Sequence, residues 1–151
     1  MIVCLHGRKA MRPRYEEPED RANEYTALAK FAATWDVFIG PRNTETGLTL
    51  LQNKQGVPII FVETKCRRNT SYKYPSLKIS TKKIKHAQQV WTKSRVPTVL
   101  LIQFTDRLMF TKLYPLKKPF PTTMWGRADR GDPYDIEEAV EIHIGKFREI
   151  M

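Results

Sequence analysis

The stretch Val57-Pro58-Ile59-Ile60-Phe61-Val62-Glu63-Thr64-Lys65-Cys66-Arg67-Arg68 decides how the rest of the chain is read. An apolar run from Val57 to Val62 ends in an acid, a spacer and a lysine, and two arginines follow. Short runs rich in β-branched and aromatic residues mark buried strands. Side chains alternate faces along a strand, so Glu63 and Lys65 point the same way, with Cα atoms roughly 6.5–7 Å apart at a rise of about 3.3 Å per residue. A carboxylate and an ammonium therefore stand side by side at the end of a core strand. A metal ion and a phosphate could both be held there.

Charge around that stretch is one-sided. Lys and Arg total 26 against 16 Asp and Glu, a formal net charge of +10. No acidic residue lies between Glu63 and Asp106. The same span holds Lys65, Arg67, Arg68, Lys73, Lys78, Lys82, Lys83, Lys85, Lys93 and Arg95, enough to account for the whole net charge. Soluble proteins usually intersperse both signs. A single-sign block beginning at the acid–x–lysine reads as a phosphate-binding face, with nucleic acid ahead of a membrane surface as the partner.

At 151 residues and 41% hydrophobic the chain is expected to form one globular domain over 1–151, with a core over about 18–113 and a C-terminal loop and edge strand over 114–151. No run approaches the roughly 18 apolar residues of a membrane-spanning helix. Cys4 and Cys66 lack paired spacing, so neither a disulfide framework nor a zinc site is indicated, and a cytosolic setting is expected.

Outward from the central stretch, residues 1–17 show no periodicity and read as a short strand and an arm. Pro18 to Ala33 reads as a helix, with Pro18 at the first position and Glu19 and Asp20 at the positive end of the dipole. Leu28, Phe31 and Trp35 recur on one helical stripe, and Glu24 extends it one turn back. A carboxylate in line with a core stripe is either at the edge of the core or aimed into a site. Short strands follow at Trp35–Ile39 and Leu48–Leu51, with Pro41 to Gly47 as a turn between them. Val57 to Lys65 is the third strand. Asn69 to Ser80 reads as an irregular basic loop carrying Tyr72 and Tyr74, two tyrosines that would stack on unpaired bases or pack on the domain. Ser80 caps a helix over Thr81 to Lys93, on which Lys82, His86, Gln89 and Lys93 form a polar stripe. Pro97 to Phe104 is apolar enough for a strand buried on both faces. Leu108 to Leu113 is its partner, 115–131 is a Pro- and Gly-rich loop, and Ala139 to Ile144 is a late edge strand.

The order helix, three strands, helix, strand, with Glu63-Thr64-Lys65 closing the third strand, resembles the PD-(D/E)XK nuclease superfamily. The run from Val62 to Arg67, followed by a tyrosine-bearing loop, is especially similar to small phage-type nucleases and junction resolvases. The resemblance implies an α/β fold with a restriction-endonuclease-like core, a mixed β-sheet flanked by helices in the order α-β-β-β-α-β. It implies a metal-dependent DNA endonuclease using Mg²⁺, with Mn²⁺ as a substitute. By position, Glu63 and Asp36 would be the metal-ligating carboxylates and Lys65 the catalytic lysine. Glu24 would match the helical glutamate that several branches of the superfamily add, and Glu45 is the alternative to Asp36. Arg67, Arg68, Lys73, Lys82, His86, Gln89 and Lys93 would contact the nucleic acid. A homodimer is implied if the substrate is a branched junction cut symmetrically.

These residue types suit the chemistry. A phosphodiester is anionic and its transition state more so, which a hard cation held by carboxylates offsets. An amine beside it orients or deprotonates water, or stabilises the pentavalent phosphorus. Neighbouring positive charge favours the neutral lysine. Two rivals stay open at this point: a non-catalytic nucleic-acid-binding module, in which the carboxylates are incidental, and an RNA-processing nuclease on the same fold.

Overall fold

The computed structural model describes residues 18–126 and 136–151. The strand and arm expected over 1–17, and the end of the loop expected over 115–131, lie outside the described residues. Helix α1 (Pro18–Thr34) leads into strands β1 (Phe38–Arg42), β2 (Thr49–Gln52) and β3 (Pro58–Cys66). Strand β4 (Ser76–Ser80) then runs directly into helix α2 (Thr81–Ser94). After α2 come β5 (Thr98–Gln103), β6 (Leu108–Tyr114), β7 (Thr122–Gly126), β8 (Ile136–His143) and β9 (Arg148–Ile150).

The main sheet has six strands in the order β1-β2-β3-β5-β6-β9. The pair β3–β5 is parallel and the other pairs are antiparallel. The expected α-β-β-β-α-β core is therefore present, with β4 inserted ahead of its second helix. A second sheet, β4-β8-β7, holds three strands.

β5 shows why the main sheet sits in the middle. Val99 and Leu101 face a core formed with Ala27, Leu28, Phe31 and Ala32 of α1 and with Leu51 and Val62. Leu100 and Ile102 face the opposite core, with Ile79, Val140, Ile142 and Phe147. Period-two alternation thus delivers apolar side chains to both faces. Phe31 is fully buried, and truncating such a residue costs about 3–5 kcal/mol.

Four sequence expectations are corrected. Ser76 to Ser80 is a strand rather than loop, because Leu77 and Ile79 pack into the second core while the chain pairs with Ser76↔His143 through Ser80↔Ala139. Thr122–Gly126 also leaves the expected loop as β7, paired with Ile136–Val140. That makes β8 the central strand of its sheet rather than an edge. Pro41 does not break β1, since among the described residues β1 pairs only with β2 and an edge strand tolerates a missing N–H.

Both helices are bounded by sequence-local devices. Ser80 caps α2, its side-chain oxygen accepting from the Lys82 N–H at 3.3 Å. Arg95 ends α2 in the left-handed region at φ 58°, its N–H returning to the Trp91 carbonyl at 2.8 Å. α1 stops in the same way at Asp36, with φ 53°, while the Val37 N–H bonds the Ala32 carbonyl at 3.1 Å.

Candidate active site

The site arises from a mismatch in strand length. β2 begins at Thr49, which lies opposite Val62, so among the described residues Glu63 to Cys66 have no partner on that side and pair only with Leu100 to Gln103 of β5. The free edge of β3 borders a cleft of about 780 Å³. The cleft is closed by the first turns of α1, by the 43–47 turn and by Lys83 of α2. Asn43 shapes that turn, its side-chain oxygen accepting from the N–H groups of Glu45 at 2.8 Å and Thr46 at 3.1 Å. Gly47 completes it at φ 79°. The positive φ is what calls for glycine there, since a Cβ would meet Glu63 Oε2 and Lys83 Nζ only at ordinary contact, 3.6 Å from each.

Glu63 is the centre of the site and is 5% exposed. Its Oε1 lies 3.0 Å from Lys83 Nζ and 3.8 Å from Lys65 Nζ. Lys83 Nζ also donates to the Thr46 carbonyl at 3.1 Å. Glu63 Oε2 is buried and, among the described residues, has no hydrogen-bond partner. A buried carboxylate oxygen left bare is costly; a bound cation would satisfy it, as would the guanidinium of Arg42, which lines the same cleft with a buried, unpartnered Nη1.

Lys65 is on the same strand face, as alternation requires. Burial pushes its ammonium below the usual lysine value, and the Glu63 charge opposes that, with Arg67 and Lys83 adding to the depression. The direction matches the sequence expectation, but desolvation is the leading cause rather than nearby positive charge.

α1 brings two acids to the cleft. Glu24 lines it as expected, and Asp20, one turn earlier on the same face, lines it too. Burial first, then the charges of Glu24 and Asp20, raise the Cys66 thiol, which places both carboxylates toward the end of β3. Glu45 lines the cleft from the turn.

Asp36 does not join them. From Glu24 to Thr34 the helix advances roughly 15 Å at about 1.5 Å per residue, and Asp36 lies beyond that end. It is exposed and sits in the left-handed turn that stops α1, a conformation Asp tolerates better than most residues. Its neighbour Trp35 packs with Phe31 and Phe110 at the opposite end of the helix from the cleft. The structure does not bring Asp36, expected beside Glu63, to the cleft.

The basic residues divide between cleft and surface. Arg68, Lys73, Lys82, Gln89 and Lys93 are exposed, and Arg67 is half-buried. His86 is half-buried with an unpartnered, buried Nδ1, and burial followed by the Lys83 charge lowers its pKa. Sequence reasoning missed Lys83 and Asp20. Lys83 had a signal: it is four residues before the buried Ala87, in a first turn that carries no acid. Positive charge at the positive end of a helix dipole calls for a carboxylate nearby, and Glu63 supplies it. Among the described residues, no three His, Cys, Asp or Glu side chains are gathered closely enough to hold a metal ion.

A buried acid, a half-buried lysine and a basic surface thus meet at the end of one strand. The family model described as "phage putative PDDEXK endonuclease" matches residues 10–150, and the chain belongs to that family. Membership implies phosphodiester hydrolysis on a nucleic acid. No curated protein and no solved structure matches the chain. Among the described residues, no helix is long and apolar enough to cross a membrane.

Proposed function

We propose that the chain is a Mg²⁺-dependent DNA endonuclease, with Mn²⁺ as a working substitute, whose active centre is Glu63 and Lys65 at the free edge of β3. The observation that carries this reading is the buried Glu63 carboxylate, with one oxygen between two lysines and the other bare, facing a cleft lined by three further acids. Glu63 would hold the ion, with Glu24 and Asp20 from α1 as the other hard-oxygen donors. Carboxylate oxygens are the donor type that magnesium takes, and it needs few of them because it keeps its waters. When bound, the ion supplies charge neutralisation at the phosphate and a more acidic water.

Lys65, lowered by burial, orients or deprotonates the attacking water or meets developing charge on the phosphate. Lys83 fixes the Glu63 rotamer and adds positive charge beside it. Arg67, Arg68 and Lys73 on the loop after β3, and Lys82, Gln89 and Lys93 on α2, track the backbone of the substrate. A branched substrate cut symmetrically would call for a homodimer.

One observation favours a rival. The acids lie apart, and the Lys83–Glu63 pair could be a closed structural bridge within a polyanion-binding module. Incubation with plasmid and branched DNA separates the two. Cleavage with Mg²⁺ that stops in EDTA and is lost in Glu63→Gln supports the nuclease. A shifted band without cutting under every metal condition supports the binder.

A further inference from the structure

The loop that leaves β3 two residues after Lys65 is held unusually firmly at its base. The Arg67 N–H bonds the Gln103 carbonyl at 2.9 Å, and Thr105 returns a bond to the Asn69 carbonyl at 3.1 Å. Ser71, in the middle of the loop, is 1% exposed. Its N–H and hydroxyl each reach a different oxygen of Asp106 at 2.7 Å. Arg107 closes the cluster by donating to the same hydroxyl from Nε at 3.0 Å and Nη2 at 2.7 Å. At the far end, the Ile144 N–H bonds the Pro75 carbonyl at 2.9 Å.

The aromatic residues on either side of Lys73 take no part in this anchoring. Tyr72 is 76% exposed and Tyr74 is 54% exposed. Lys73 Nζ stands 5.5 Å from the Tyr74 ring centroid. Tyrosines that served packing would be buried, and here the polar cluster around Ser71 fixes the loop instead. What remains is a pair of outward phenol rings on a pre-ordered base, among the exposed or half-buried cations Arg67, Arg68 and Lys73. A flat ring beside positive charge suits a flat base next to a phosphate. Bases inside a duplex are already stacked on their neighbours. Pre-ordering also removes much of the entropy cost of holding such a ligand.

We infer that the 67–75 loop is a base-stacking platform for an unpaired DNA strand, held at the end of the strand that carries Glu63 and Lys65 by the Ser71–Asp106–Arg107 lock, so that the preferred substrates are single-stranded or branched. This rests on the nuclease reading of the cleft, and it narrows the substrate class.

The test uses the full chain in EDTA, which blocks cleavage, with a labelled oligothymidylate and a blunt duplex of equal length followed by fluorescence anisotropy. Tyr72→Ala is expected to weaken single-strand binding on the order of 10-fold, the loss of one base–aromatic stack, and to change duplex binding by less than about twofold. Tyr72→Phe retains single-strand affinity because the ring remains. A 2-aminopurine placed in the single strand is quenched by the wild type and not by Tyr72→Ala. Equal losses on both DNAs, or no loss on either, overturns the inference. Cleavage by the wild type in Mg²⁺, run alongside, separates the two failures: cutting with unmoved stacking readouts sinks the platform alone, and absence of cutting sinks the nuclease reading.

Discussion

Lys83→Met probes the electrostatic core of the site. The Lys83 side chain is 27% exposed and its partner Glu63 is 7% exposed, at a separation of 3.0 Å. Exposed ion pairs contribute about 0–1 kcal/mol, whereas removing one partner of a fully buried pair costs about 3–5 kcal/mol. This pair lies between those limits. Glu63 keeps Lys65 at 3.8 Å after the substitution, which softens the loss. The Thr46 carbonyl also loses its donor, worth about 1 kcal/mol. The expected cost is about 2 kcal/mol. For a chain of this size that lowers the melting temperature by about 4–8 °C. Calorimetry on the wild type, Lys83→Met, Glu63→Gln and the double variant measures it, with a coupling of at least about 1 kcal/mol expected between the two sites. A melting temperature within about 1 °C of wild type, or additive effects, would refute the claim that Lys83 holds the buried carboxylate.

Other outcomes follow from the same geometry. Lys65→Met and Glu63→Gln should each lower the cleavage rate at least about 100-fold while salt-sensitive DNA binding in EDTA survives; joint loss of binding would mean that the residues are structural. Asp36→Gly should leave cleavage intact and keep or slightly raise stability, because glycine adopts the left-handed turn without strain; a rate loss of about 10-fold or more would restore Asp36 to the active centre. The His86 imidazole should titrate below the ordinary value of about 6.5 in NMR. A base with a depressed folded pKa binds fewer protons than it does unfolded, so stability is full above the ordinary value and falls with acidification down to the folded value. His86→Asn should flatten that slope, and an unchanged slope would contradict the burial of His86.

Much of the site could be read from the chain alone, for physical reasons. The apolar run from Val57 to Val62 marks a strand, and alternation commits Glu63 and Lys65 to one face, but the burial expected along the run holds only at its end: Val57 and Ile59 are exposed, Ile60 and Phe61 are half-buried, and Val62 enters the core. Ser80 announces α2 through a local hydrogen bond. Glu24 follows from helical spacing. The misplaced pieces depend on distant partners or on turn chemistry. Leu77 and Ile79 of β4 look like loop residues until β8, some 60 residues later, pairs with them. Asp36 was placed by family position, whereas Trp35 and Val37 draw that turn toward the aromatic hollow around Phe110. Lys83 lies off the polar stripe of α2, so a search for exposed cations passes over the one lysine turned inward to Glu63.

The central claim is that the bare oxygen of Glu63 is a metal ligand. Crystals soaked in Mn²⁺ and measured at the manganese absorption edge test it most directly. An anomalous peak in the cleft, bonded to Glu63 Oε2 and accompanied by oxygen donors from α1, is the expected result. A Glu63 carboxylate still bound only to Lys83 and Lys65, with no peak beside it at saturating Mn²⁺, would contradict it.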